Sequence, residues 1–193
     1  MVLATRFDDL GDWTVEQQFV LQMGSSYLLA HGLGRPLEKD ARTTIEIAGE
    51  GDYHLWVRTK NWTAFWSDGK TPGIFRVRID GQEDPAEFGI GCGGDTPRER
   101  AGWCWQPGGN YHLGKGKHEI VLHDLTGLDG RCDAILLTTS SETPGSSLES
   151  YRELREELLP TPVEDKGTFD FVVVGGGMSG LCAAIAAARL GIK

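Results

Sequence analysis

Ile74–Gly81 reads IFRVRIDG. Phe75, Val77 and Ile79 alternate with Arg76 and Arg78, a period of two that puts apolar side chains on one face of a strand and charges on the other. Asp80-Gly81 then supplies a favoured hairpin turn, because glycine accepts positive φ without a steric penalty. The same alternation recurs along the chain. TTIEI sets Ile45 and Ile47 against Thr44 and Glu46, and YHLWVRT sets Tyr53, Leu55 and Val57 against His54, Trp56 and Arg58. HEIVLHDL and CDAILLTT complete the set. Period-two strands broken by Gly, Asp and Pro imply antiparallel sheets with one wet face. The expected fold over 1–139 is therefore mostly β, an antiparallel sandwich of the jelly-roll type.

The texture changes after residue 139. SSETPGSS reads as a loop and SSLESYRELREELLP as a short helix, so 140–166 is expected to be a linker. Ser146 followed by Glu149 resembles a capping box. Leu148, Tyr151, Leu154 and Leu158 share one helical face, and Pro160 and Pro162 end the helix.

The region 167–193 begins with FDFVVV, an almost continuous apolar run of the kind found in parallel strands buried on both faces. Gly175, Gly177 and Gly180 then form GxGxxG, with Met178 and Ser179 between the last two, and an Ala-rich helix follows. Strand, glycine loop and helix in that order make a dinucleotide-binding fingerprint. Gly175 permits the sharp turn, Gly177 lets a diphosphate approach the backbone, and Gly180 lets helix and strand pack closely. Free N–H groups at the helix start favour the anion. The acid that binds the ribose is expected about 20 residues further on, a position past Lys193.

The bulk properties exclude several classes. The chain has 193 residues and a formal net charge of −9. Such a surface repels phosphate backbones, and no basic block is present, so no nucleic-acid partner is expected. No apolar run reaches bilayer length, and MVLATRFDDL has no leader-type apolar region, so no membrane association and a cytoplasmic location are expected. Cys92, Cys104, Cys132 and Cys182 lack zinc spacing; they read as small buried thiols, with a Cys92–Cys104 disulfide as the alternative.

Two further sets of side chains carry candidate chemistry. Six tryptophans are present, and sugars stack their C–H faces on such rings. NWTAFWSDG offers Trp62 and Trp66 with Asn61 and Asp68 nearby, a candidate saccharide site; WCWQPGGNYH offers Trp103 and Trp105. The bland alternative is burial in a core or domain interface. HDLTGLDGRCD gathers Asp124, Asp129 and Asp133, which could hold Ca²⁺, or else serve as turn formers and an arginine partner. His31, in a glycine-rich loop, is the most suggestive of the five histidines.

VVVGGGMSGLCAAIAAARLGIK resembles the FAD-binding start of a large bacterial family of FAD-dependent oxidoreductases. MGSSYLLAHGLGRP, YHLWVRTKNW, PGIFRVRIDG and DLTGLDGRCDAILLT look like the sandwich that precedes the flavin domain in one subgroup, itself similar to carbohydrate-binding modules of the galactose-binding type. The resemblance implies that the chain is the N-terminal piece of a longer FAD enzyme, that the sandwich is accessory or saccharide-binding, and that this piece alone does not hold FAD. It also makes Asp8 and Asp9 candidate metal ligands. An NAD enzyme is a third reading, which depends on the sequence downstream.

Overall fold

The computed structural model describes residues 1–66, 72–91, 93–159 and 165–192. They fall into two compact units, Met1–Pro160 and Thr161–Lys193.

In the first unit the strands are β1 (Val2–Leu3), β2 (Thr14–Glu16), β3 (Tyr27–His31), β4 (Ala41–Ile47), β5 (Gly51–Thr59), β6 (Phe75–Ile79), β7 (Gln82–Glu83), β8 (Cys104–Leu113), β9 (Gly116–Asp124) and β10 (Leu128–Thr138). Three helices accompany them: α1 (Val20–Met23), α2 (Pro97–Arg100) and α3 (Leu148–Leu158). One sheet has the order β2-β3-β10-β5-β8, with β1 also on β10; the other has the order β4-β9-β6-β7. Every pairing is antiparallel. The expected sandwich is what forms.

The IFRVRIDG hairpin shows why. Ile79 pairs with Gln82 across the turn, and Asp80 and Gly81 take φ of 51° and 80°. Two successive positive φ values match the right-handed twist of the flanking strands. Phe75, Val77 and Ile79 enter the central core with Leu28, Leu55, Val57, Ile120, Leu122 and Ile135. Trp13 joins them edge-on to Phe75, ring centroids 5.6 Å apart.

The two outer faces differ. On the smaller sheet Arg76 binds Glu83 at 2.6 Å and Glu87 at 3.2 Å, and Arg78 reaches Glu83 and Asp40. This face is wet, as the alternation implies. The larger sheet departs from the expectation. Its outward Trp56, Arg58 and Trp105 are buried beneath α3, whose Tyr151 is fully covered and whose Leu154 packs alongside. Two tryptophans expose too much apolar area to face water, so a third layer covers them.

The start of α3 also corrects the sequence. Ser147, not Ser146, is the cap, its hydroxyl accepting the Ser150 amide at 3.1 Å. The Ser146 hydroxyl instead accepts the Trp105 amide at 3.2 Å, which ties the segment to β8. The expected stop signals Pro160 and Pro162 lie outside the described residues.

The second unit holds α4 (Met178–Arg189), capped by Gly177. The FDFVVV stretch is not a paired strand, contrary to the reading of its apolar run. A strand is held by a ladder of hydrogen bonds, and this stretch pairs with no strand among the described residues. Phe169, Phe171, Val172 and Val174 are exposed, and α4 buries no residue.

Candidate functional site

At one end of the sandwich several loops converge. The Gly32 and Gly34 amides donate to the Gly127 carbonyl at 2.9 and 3.1 Å. Asp124, 1% exposed at the end of β9, gathers the Leu37, Gly127 and Thr126 amides at 3.0, 2.7 and 3.4 Å. Burial raises its pKa, and those amides and His123 pull the other way. Gly127 has φ of 62°, and a Cβ there would lie 1.8 Å from the Arg35 carbonyl oxygen, so only glycine fits.

The three carboxylates read as a calcium set are not brought together. Asp124 is spent on backbone amides. Asp129, at φ 63°, turns its Oδ1 to His31 Nδ1 at 2.5 Å. Asp133 lies on β10, fully buried, paired with Arg58 at 2.7 Å and accepting the Ser25 hydroxyl at 3.1 Å. A turn separates Asp124 from β10, and register shifts in β10 between Leu128 and Gly130 and between Cys132 and Ala134 break the alternation around Asp129 and Asp133, so nearness in sequence does not converge. Among the described residues no group of three His, Cys, Asp or Glu is placed to hold a metal. Asp8 accepts the Thr43 hydroxyl and the Thr44 amide, and Asp9 accepts the Gly11 amide.

The saccharide candidates divide. Trp66 is 78% exposed and Phe65, its neighbour, 57%, with ring centroids 6.2 Å apart. Trp62 is half-buried; its Nε1 donates to the Leu128 carbonyl at 3.0 Å and its ring lies 5.5 Å from the Arg131 guanidinium carbon. Asn61 is buried, contrary to a ligand-facing role. Its Oδ1 accepts the Thr63 amide and hydroxyl, and its Nδ2 donates to the Ile90 carbonyl, so it shapes the loop. Asp68 lies outside the described residues. Sequence reasoning missed Phe65, although the Phe-Trp doublet signals it, and missed the pairing of His31 with Asp129.

Behind Trp62 the outer face of the larger sheet carries an aromatic box. Phe19, Tyr27 and Trp103 pack with centroids 4.9–6.3 Å apart. Lys60 Nζ sits 4.7 Å from the Phe19 ring and donates to the Ala101 carbonyl. The Arg131 guanidinium carbon is 5.6 Å from the same ring, and its Nη1 donates to the Asp129 carbonyl at 2.7 Å. Burial, with Arg131 beside it, brings the Lys60 pKa down to about 8. Trp56 and Trp105 lie under α3 rather than in a ligand cleft. Cys132 is buried and free, Cys182 exposed and free, and Cys104 disulfide-bonded; Cys92 lies outside the described residues.

In the second unit, Gly175 has φ of 109°. A Cβ on Gly180 would fall 2.2 Å from the Gly175 carbonyl oxygen and 3.2 Å from Val173. Nothing lies within 4 Å of one built on Gly176 or Gly177. The N-cap of α4 is Gly177, which has no side chain to offer its first-turn amides.

No family model matches the chain, and no curated protein matches it. Solved structures do. A family 35 carbohydrate-binding module from Clostridium thermocellum aligns over 72% of this chain and 97% of its own, at 14% identity and a TM-score of 0.51. The Podospora anserina GH26-CBM35 β-(1,4)-mannanase aligns over 74% of this chain at 22% identity and a TM-score of 0.50. A Paenibacillus sp. cycloisomaltooligosaccharide glucanotransferase aligns over 69% at 16% identity and a TM-score of 0.48. This chain spans 28% and 17% of the lengths of those two enzymes. The fold of the first unit is that of a carbohydrate-binding-module β-sandwich.

Proposed function

We propose that the first unit is a saccharide-binding module whose ligand meets the loop end at Trp66, Phe65 and Trp62. One observation carries this reading: two adjacent aromatic rings are held in solvent on a loop whose base is pinned by the buried Asn61. Two adjacent exposed rings form a contiguous apolar patch, the kind of surface that a ligand covers. They suit the apolar C–H face of a pyranose, and the neighbouring His31–Asp129 pair supplies polar partners for hydroxyls. The mannanase and the isolated module share this architecture, which agrees with the reading. Tryptophan fluorescence titration against a panel of oligosaccharides tests it. Saturable quenching lost in Trp66→Ala supports it; no response to any saccharide removes it.

A second reading concerns Thr161–Lys193, and the Gly180–Gly175 contact favours it. We infer that this unit opens the FAD-binding fold of a longer FAD-dependent oxidoreductase. The approach leaves no room for a side chain at Gly180, as close helix packing in such a loop requires. The Gly177, Met178, Ser179 and Gly180 amides would hold the diphosphate, and Gly175 would make the turn. Bound flavin supplies the redox chemistry; these residues bind and orient it. A chain extended through the whole flavin domain should purify with flavin absorbance, and Gly180→Val should purify without it. A colourless extended chain that ignores added FAD overturns the reading.

A further inference from the structure

We propose that Lys60 and Arg131 form a binding site for a small oxyanion, closed over by Phe19 and backed by Tyr27 and Trp103. The reasoning starts from charge. Lys60 is 7% exposed and Arg131 5%, and they sit side by side under one phenyl ring. A buried cation is stable only when paired or well hydrogen-bonded. Arg58, the neighbouring cation, obeys this rule through Asp133. Lys60 and Arg131 have no carboxylate partner among the described residues; each donates to a backbone carbonyl, and Arg131 Nε has no acceptor.

The surroundings deepen the deficit. The Trp103 Nε1 is also buried without a partner, and the Tyr27 hydroxyl, which lies against the Arg131 guanidinium, has no acceptor for its own proton. Three donors of different chemistry therefore lack acceptors around one pair of positive charges. The acids nearby are committed elsewhere, Asp129 to His31, Asp133 to Arg58 and Glu16, opposite Tyr27, to the Gln17 and Gln18 amides. In a chain of net charge −9 the local excess of positive charge is not a general property of the surface. An oxyanion answers both deficits at once: it neutralises the pair and offers several acceptors within one small volume. The inference does not rest on the saccharide reading, since Trp66 takes no part in it.

The test uses the protein with inorganic phosphate as probe. Phosphate should raise the melting temperature saturably by about 3 °C over sodium chloride at equal ionic strength. The ³¹P resonance of phosphate should broaden with the protein, and sulfate should reverse this. Lys60→Met and Arg131→Met should each weaken binding by about tenfold, as expected for loss of a charge-assisted hydrogen bond. No broadening with the wild-type protein, or undiminished broadening with both variants, overturns the proposal. If a variant fails to fold, the wild-type competition decides: displacement by sulfate but not by chloride supports the site, and equal effects of the two overturn it.

Discussion

Tyr151 lays its ring 3.8 Å from the guanidinium carbon of Arg58. The helix that follows the sandwich is thus fixed over a buried ion pair, and Trp105 meets Tyr151 edge-on at 6.1 Å from the other side. The contact combines aromatic burial with a desolvated cation–π interaction.

Tyr151→Ala should therefore cost about 3–5 kcal/mol in urea unfolding, the range for losing a buried aromatic ring. Tyr151→Phe should cost far less, about 1 kcal/mol, because it keeps the ring and removes only the hydroxyl beside Asp133. Equal losses in the two variants would show that the ring is not what anchors α3.

Asp133→Ala leaves Arg58 buried and unpaired, at a cost of about 3–5 kcal/mol. The double variant Arg58→Met, Asp133→Leu removes both charges and should recover most of that loss. Denaturation midpoints of the three proteins decide. A double variant as unstable as the single one would mean that the pair's geometry, rather than an orphaned charge, carries the stability.

His118 links stability to pH. The Asp80 carboxylate, 2.6 Å from Nδ1, and the Gly114 carbonyl raise its pKa above the ordinary value. A raised imidazole pKa stabilises the fold fully below the unfolded value near ~6.5 and loses that contribution as pH rises through the folded value. The advantage of wild type over His118→Gln should shrink as pH rises from about 6 through the raised folded value, by no more than ~1 kcal/mol for a pair open to solvent. Paired urea melts across that range measure it; an advantage that grows with pH would reverse the sign.

Trp66→Ala should leave stability within about 0.5 kcal/mol, as for an exposed residue with no structural role. Trp62→Ala should cost about 1–2 kcal/mol, since it frees the Leu128 carbonyl and strips the ring from Arg131. Thermal melts separate the two, and equal losses would place Trp66 in the structure rather than at the ligand.

The parts legible in the sequence were those governed by neighbours. Asp80-Gly81 announced its turn, and the alternation of Phe75, Val77 and Ile79 announced its inward face. What stayed hidden depends on residues distant in the chain. Trp56 and Arg58 read as outward-facing, and nothing local says that Tyr151 will roof them. Asp124, Asp129 and Asp133 cluster on the page, but strand geometry sends them to backbone amides, to His31 and to Arg58. Asn61 sits beside Trp62 in the sequence, but the Ile90 carbonyl that captures it belongs to another loop. The aromatic box draws Phe19, Lys60, Trp103 and Arg131 from four separate segments. FDFVVV failed for the opposite reason: its composition is right for a strand, but a strand also needs a partner.

β1 and β10 lie side by side, with Val2 opposite Ile135. Entry to and exit from the sandwich are thus adjacent and run in opposite directions. Such a body can be spliced into a surface loop of a host protein without prising the host apart, and new ends can be cut into its hairpins while a short bridge joins the old ones. The Asp80-Gly81 turn, far in sequence from both, is the natural place to open a circularly permuted version.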